Sequence, residues 1–334
     1  MTNPHPWTQR TRSLFLHCLL WAIALSYGFA DWGIYRGQFF FHGQQWRMHL
    51  SGGIDAPFQY RIGNWVIVDW MYRLLHIKTY DTLTAIDVLC LVLILWLVLH
   101  LLKSLNLSRA LSSTHFLSMA VALVLAEYYL VWGHWFQDAE TLPSILFVVL
   151  SLNLVCRNLV RNRALACILL VGLSGLQGFF RADVAVVLHV GFFLALLFRG
   201  KISVPLGRIR QLATSLAATL LAGCVQLYLM RVRFPNARYG PGGVVRLASN
   251  IHPGIWLTML LALAPYGVLL ILVATKRYQP DGPERMMLTS SLLYLALWAT
   301  VGLLNETRIF LPFAFGLIPA TAVAVVKNLP DSPI

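Results

Sequence analysis

Long apolar runs separated by short polar stretches make up most of the chain. Ten runs of about 15 to 21 residues are long enough to form helices that cross a membrane. The pattern therefore predicts an all-α, polytopic integral membrane helical bundle with about ten transmembrane helices in a single transmembrane domain, 1–334. The predicted spans are 13–30, 82–102, 114–132, 142–156, 164–180, 184–198, 212–230, 254–274, 287–304 and 309–326.

Two longer polar stretches, 31–81 and 231–253, interrupt this pattern and are predicted to be outer loops. The first contains an amphipathic run over 64–76 that is too short and too polar to span, which predicts a helix lying in the membrane interface. Asp69 and Arg73 are four residues apart in this run and are expected to pair. The second loop carries four arginines and no acidic residue: Arg231, Arg233, Arg238 and Arg246.

Composition supports a membrane protein, because 58% of the residues are hydrophobic and only 12% are charged. A soluble domain needs more polar surface than this composition supplies. The net charge of +13 is explained by cationic loops that face the cytoplasm, so no nucleic-acid partner is predicted. The five cysteines all fall in apolar runs, and no Cys or His spacing indicates zinc or disulfides.

The distribution of lysine and arginine predicts the orientation. If the N-terminus is cytoplasmic, the short outer connections carry only two basic residues, Arg181 and Arg308. This distribution favours a protein of the inner membrane with both termini on the cytoplasmic side. The first span is expected to remain uncleaved. Eight of the 13 acidic residues then lie outside. The outer face is therefore predicted to be the working face.

Two carboxylates in the first outer loop are candidate catalytic groups. Asp31 directly follows the first predicted span, where partial desolvation would favour a role as a base; a solvated helix end is the alternative. Asp55 lies in a turn shaped by glycines and Pro57, and it would otherwise brace that turn.

Further candidates lie at the outer ends of later spans. His134, Asp138 and Glu140 share a short turn after the third span, although Glu140 also suits the start of the next helix. Arg181 and Asp183 form a charged break between two spans, with a local ion pair as the simpler account. Glu306 and Arg308 form a second such turn. The loop arginines need an anionic partner, either a phosphate or lipid headgroups in general.

The layout resembles the GT-C class of polytopic glycosyltransferases. Three segments carry this resemblance: Ala-Asp-Trp-Gly-Ile-Tyr around Asp31, Pro-Phe-Gln-Tyr-Arg ending at Arg61, and Gln-Asp-Ala-Glu ending at Glu140. The chain is also similar to uncharacterised bacterial membrane proteins that have a Pro-Phe-x-Tyr-Arg segment in the first outer loop.

The resemblance implies transfer of a sugar from a polyprenyl-phosphate donor on the outer face. Asp31 would be the general base, with Asp55 and Asp138 next in line. The loop arginines, helped by Arg61 or Arg308, would hold the phosphate. His134, Asp138 and Glu140 would bind sugar hydroxyls or, alternatively, a divalent cation; no other cofactor and no dedicated metal site is implied.

A single site requires that residues distant in sequence meet. We expect five residues to line one cavity: Asp31, Arg61, Asp138, Arg181 and Glu306. Two other functions remain open. A transporter or flippase for a lipid-linked or anionic substrate would also use outer arginines and the intramembrane Glu127. A non-catalytic assembly subunit would need only the spans.

Overall fold

Twelve α-helices appear in the computed structural model, which describes residues 6–37, 46–104, 113–133, 139–198, 203–238, 249–304 and 306–329. The helices are α1 (Pro6–Gly37), α2 (Trp46–Ser51), α3 (Gly63–Leu75), α4 (Thr79–Ser104), α5 (Ser113–Gly133), α6 (Thr141–Val155), α7 (Arg163–Phe198), α8 (Arg208–Tyr228), α9 (Pro253–Ala262), α10 (Ala264–Ala274), α11 (Gly282–Val301) and α12 (Leu311–Lys327). Phe58–Tyr60 and Thr307–Ile309 are 3-10 turns, and Leu229–Arg233 extends α8 as a π-helical turn.

The later helices start with recognisable sequence signals. A proline occupies the first turn of α9, α10, α11 and α12, where its missing N–H leaves no hydrogen bond unmade. Asp281 and Glu284 form a reciprocal capping box at the start of α11, which satisfies two backbone N–H groups that the helix cannot.

The expectation of about ten spans is wrong. Within the described residues, five helices are long and apolar enough to cross a membrane, namely α1, α4, α5, α7 and the extended α8; the pair α9–α10, bent by 77°, makes a sixth if it counts as one span. These helices indicate a multi-pass membrane protein. The predicted spans 164–180 and 184–198 correspond to the two parts of α7, which is interrupted at Arg181.

Two of the remaining predicted spans are short core helices. The 15 residues of α6 and the 17 of α12 give lengths of about 23 and 26 Å, less than the ~30 Å hydrocarbon core. Every residue from Leu311 to Ala324 is buried, and α12 packs against α4, α5, α6, α10 and α11. Hydropathy alone does not distinguish such a buried helix from a span.

The helix expected at 64–76 is present as α3. Asp69 and Arg73 form the expected ion pair at 2.8 Å. The helix buries Trp65 and Val68 against the protein and leaves an apolar set exposed on the opposite side: Val66, Ile67, Trp70, Leu74 and Leu75. This second apolar face suits contact with a lipid surface.

The first half of α7 runs alongside α8 in the same direction. Ser174 Oγ donates a hydrogen bond of 2.9 Å to the carbonyl of Ala218. One turn later on α7, Gly178 lies against Ala222 and Val225, one to two turns further along α8. Since both residue numbers increase together, the two segments are parallel.

The second half of α7 turns back. Arg208, at the beginning of α8, donates a hydrogen bond of 2.9 Å to the carbonyl of Leu196, so the two ends of α7 lie on the same side of the bundle. A straight helix of this length would extend about 54 Å in one direction. The reversal occurs at Arg181, whose backbone angles are not helical (φ −148°, ψ 83°).

Candidate functional site

A cavity of about 1070 Å³ lies over the reversal in α7. Its base is formed by α7 between Arg181 and Val187, and its two sides by α8 and α11, both of which pack on α7. Residues of the 53–61 segment and of the turn between α11 and α12 complete the lining.

The base holds a hydrogen-bonded triad. Arg181 is almost fully buried, with 2% of its side chain exposed. Its Nη2 donates to Asp183 Oδ2 and to the hydroxyl of Tyr294, each at 2.6 Å. The same hydroxyl donates to Asp183 Oδ2 at 2.6 Å. A buried guanidinium requires such partners, and they fix its position at the bottom of the cavity.

The loop that carries Asp55 is braced from both sides. The backbone N–H of Ala56 donates to the carbonyl of Arg238 at 3.0 Å, which fixes the loop to the segment that follows α8. The buried side chain of Gln59 accepts from the backbone N–H of Ile54 at 2.9 Å and donates to the carbonyl of His49. These bonds hold the exposed Asp55 side chain at the cavity.

The turn between α11 and α12 supplies a further pair of charges. Arg308 Nη2 lies 3.6 Å from Glu306 Oε2, a looser contact than that between Arg181 and Asp183. Thr307 Oγ1 donates to the carbonyl of Trp132 at 3.2 Å, which fixes this turn to the end of α5. Both charged side chains line the cavity.

Three arginines and three carboxylates therefore share the cavity. They are Arg61, Arg181, Arg308, Asp55, Asp183 and Glu306. Asp183 and Glu306 have an arginine partner within this set. The Asp55 carboxylate makes no hydrogen bond or ion pair within the described part of the chain, so it is the carboxylate left to contact a ligand.

The cavity also has apolar residues that face outward. Leu227 on α8 is 58% exposed, and Leu297 and Val301 on α11 are 37% and 39% exposed, yet all three line the cavity. Exposed apolar side chains on the membrane part of a bundle contact lipid. The cavity thus opens sideways between α8 and α11, with charged residues at its base and on the 53–61 and 306–308 segments.

Asp31 does not line this cavity, which corrects the expectation that it shares one site with Arg61 and Arg181. Helix α1 continues to Gly37 instead of ending near residue 30, so Asp31 lies within a helix. Its side chain is 1% exposed and interacts with Asp87 of α4, which accepts a hydrogen bond of 2.7 Å from Tyr35.

Several other candidate residues also lie elsewhere. Glu140 is buried and accepts a hydrogen bond of 3.1 Å from Trp65 Nε1, so it connects α3 to the start of α6. The side chains of Arg231, Arg233 and Arg238 are exposed and do not line the cavity. His134, Asp138 and Arg246 lie outside the described residues.

The sequence reasoning missed Tyr294, Trp298 and Gln226, which line the cavity. Tyr294 and Trp298 are one turn apart in an apolar run, a pattern equally typical of a packed core or a membrane interface. No charge or turn signal distinguished them. Among the described residues no group of three His, Cys, Asp or Glu side chains is placed to hold a metal ion.

Comparisons with models of known families, with curated proteins and with solved structures gave no match.

Proposed function

We propose that the chain is a membrane glycosyltransferase-like enzyme that transfers a sugar from a polyprenyl-phosphate donor to an acceptor hydroxyl. The observation that supports this most is the cavity, which combines three arginines and an unengaged carboxylate with a lipid-facing opening. An amphipathic substrate matches this cavity, because its anionic head would contact the arginines and its apolar tail would lie at the lipid-facing opening. The resemblance in layout to polytopic glycosyltransferases supports the same class.

In this proposal the arginines bind the donor phosphate. Arg61 and Arg308 lie at the outer part of the cavity and would contact phosphate oxygens, since guanidinium groups bind them through two parallel hydrogen bonds. Arg181 is held at the base by Asp183 and Tyr294 and contributes fixed positive charge. That charge would stabilise the phosphate as it leaves.

Asp55 takes the role of general base in place of Asp31. Its carboxylate would accept the proton of the acceptor hydroxyl while the hydroxyl oxygen attacks the anomeric carbon. The bond from that carbon to the phosphate oxygen breaks, and the electron pair leaves with the polyprenyl phosphate. Attack opposite to the leaving group inverts the configuration at the anomeric carbon.

The orientation belongs to the same proposal. With both termini in the cytoplasm of a cell with an inner membrane and the 31–81 segment outside, the cavity faces outward, because Asp55 and Arg61 of that segment line it. The partners are then membrane lipid and the lipid-linked sugar. The basis is the scarcity of basic residues in the short outer connections.

One observation favours a transporter as the second candidate. The bent pair α9–α10 has a break of 77°, and discontinuous helices are typical of transporter binding sites. However, no residue of either helix lines the cavity. The break and the charged cavity are therefore separate features, which favours the enzyme.

The test is a reconstituted assay with a radiolabelled polyprenyl-phosphate sugar and a membrane extract as acceptor. Asp55→Asn keeps the shape of the side chain and removes its charge, so turnover should fall by about 10²–10⁴-fold while donor binding persists. Asp69→Asn is the matched control, because Asp69 lies on the same outer segment but outside the cavity.

Two results would contradict the proposal in different ways. Wild-type protein that binds the lipid but never transfers its sugar would end the enzyme proposal. An Asp55→Asn variant as fast as wild type, together with a slow Asp31→Asn variant of normal thermal stability, would return the base to Asp31.

A further inference from the structure

The outer end of α8 forms one edge of the sideways opening. Leu227 lines the cavity, and the exposed face of the helix continues through Tyr228 and Val232. Leu229, on the other side, is fully buried. The exposed apolar surface therefore leads from the membrane directly to the edge of the cavity.

Arg231 lies on this exposed face, about one turn beyond Leu227. It makes no hydrogen bond or ion pair within the described part of the chain. Its neighbour Arg233 differs, because it donates to the carbonyl of Leu50 at 2.9 Å and stacks on Phe234. Arg231 is thus a charged group at the end of a candidate span, next to the cavity, with its donors available.

We propose that Arg231 binds the phosphate of a membrane lipid at the opening, before the lipid enters the cavity. This inference rests on the proposed function, because it assumes that the substrate arrives through the membrane. The site is distinct from the cavity arginines, since Arg231 is not part of the lining. It would recruit the lipid, whereas Arg61 and Arg308 would hold it for reaction.

The surroundings favour a lipid phosphate over a free phosphate ion. The side chains beside Arg231 on the exposed face are apolar or aromatic, as in Tyr228 and Val232. They add nothing to the binding of a small hydrated anion. A lipid would place its head at the guanidinium and its chain along Leu227. Both parts of the ligand then gain contacts.

The experiment measures lipid binding to the full-length protein in detergent by native mass spectrometry. The probes are polyprenyl phosphate, the corresponding polyprenol without phosphate, and inorganic phosphate as a competitor. Arg231→Ala should weaken binding of polyprenyl phosphate about tenfold and leave polyprenol binding unchanged. Arg231→Lys should retain part of the affinity, because the charge remains. Millimolar inorganic phosphate should not compete.

Arg210→Ala is the matched control. Arg210 is an exposed arginine at the opposite end of α8, also without a hydrogen bond or ion pair in the described part of the chain, and its loss should not change lipid affinity. Equal affinity of wild type and Arg231→Ala would overturn the site, and so would an absence of polyprenyl-phosphate binding to wild type. Efficient competition by inorganic phosphate would show an anion site without lipid selectivity and would equally overturn it.

The result is separable from the test of the proposed function. Binding that depends on Arg231, in a protein that transfers no sugar, would end the enzyme proposal and leave this lipid site in place. Normal sugar transfer together with unchanged lipid affinity in Arg231→Ala would overturn the lipid site and leave the enzyme proposal in place.

Discussion

The partners of each buried charged residue determine where in the protein that residue lies. Arg181 is buried at the base of the cavity and remains there because Asp183 and Tyr294 satisfy its guanidinium. Asp31 is also buried, but it faces Asp87 in the interior between α1 and α4. Similar burial thus places one residue at the cavity and the other between α1 and α4.

Glu284 is the clearest titrating group outside the spans. Its two carboxylate oxygens accept from the hydroxyl of Tyr278 at 2.8 Å and from the backbone N–H of Asp281 at 2.9 Å. Burial at the base of α11 and, to a lesser degree, the Asp281 carboxylate raise the pKa of Glu284 to about 7, although the two hydrogen bonds and the Lys327 charge oppose this effect.

Folding stability should therefore fall as pH rises through neutrality. The pKa of the same carboxyl is 4.5 in its unperturbed form, so between these values the folded protein binds more protons than the unfolded chain. The protonated form contributes its full stabilisation below pH 4.5, and this contribution is lost as the pH rises past 7. We expect about 1–2 kcal/mol after allowing for partial exposure.

Thermal unfolding in detergent from pH 4.5 to 8 provides the measurement. Glu284→Gln cannot titrate, so its midpoint should vary less with pH than that of wild type. Asp69→Asn, at an exposed ion pair, should keep the wild-type dependence. Parallel pH profiles for wild type and Glu284→Gln would show that another group is responsible.

Among the elements, α7 and α11 approach each other closely at Gly191. Ser290 Oγ of α11 donates to the carbonyl of Leu188 at 2.8 Å, and Gly191 lies directly against the backbone of Ser290. A Cβ at position 191 would collide with the Oγ of Ser290 and also with its Cα, which belongs to the backbone and cannot move aside as a side chain could. The contact aligns Tyr294 with the reversal in α7.

Gly191→Ala should therefore separate the two helices and destabilise the protein by about 1–3 kcal/mol, the usual cost of overpacking. It should also weaken lipid binding, since Tyr294 would move relative to Arg181. Gly172→Ala is the matched control on the same helix, because its Cβ would enter open space and alanine favours a helix by up to about 1 kcal/mol. Equal thermal midpoints for the two variants would contradict this account of the packing.

For the whole molecule, the orientation in the membrane can be measured directly. In a variant whose native cysteines are replaced by serine, a cysteine at Asn236 should react with an impermeant maleimide in intact cells. A cysteine at Lys276 should react only after permeabilisation. Both positions are exposed, so labelling reports the side of the membrane. The opposite result would place the cavity in the cytoplasm.

The sequence predicted the fold class and the charged turns because both follow from simple constraints. A charged pair such as Arg181 and Asp183, between two apolar runs, must lie where the chain turns. The number of spans could not be predicted in the same way. α12 is as apolar as a lipid-facing helix, and only its packing on five other helices shows that it belongs to the core.

The candidate site was predicted only in part, because its lining depends on packing between helices as well as on local charge patterns. Arg61, Arg181, Glu306 and Arg308 lie around one cavity, as their positions at outer ends suggested. The predicted position of Asp31 is wrong because a charge after an apolar run predicts a helix end, whereas α1 continues for six more residues to Gly37. A buried partner on another helix, here Asp87, leaves no mark in the local sequence.

The hydrogen bonds that fix the Asp55 loop have a consequence for biogenesis. Tyr60 and Ala237, 177 residues apart, are joined by one of them, and Ala56 bonds to Arg238 nearby. On the ribosome, the Asp55 loop is therefore synthesised long before its partner segment exists. The loop therefore stays unanchored while α1 to α7 are inserted into the bilayer. Insertion of α8 then supplies both the partner segment of the loop and one wall of the cavity.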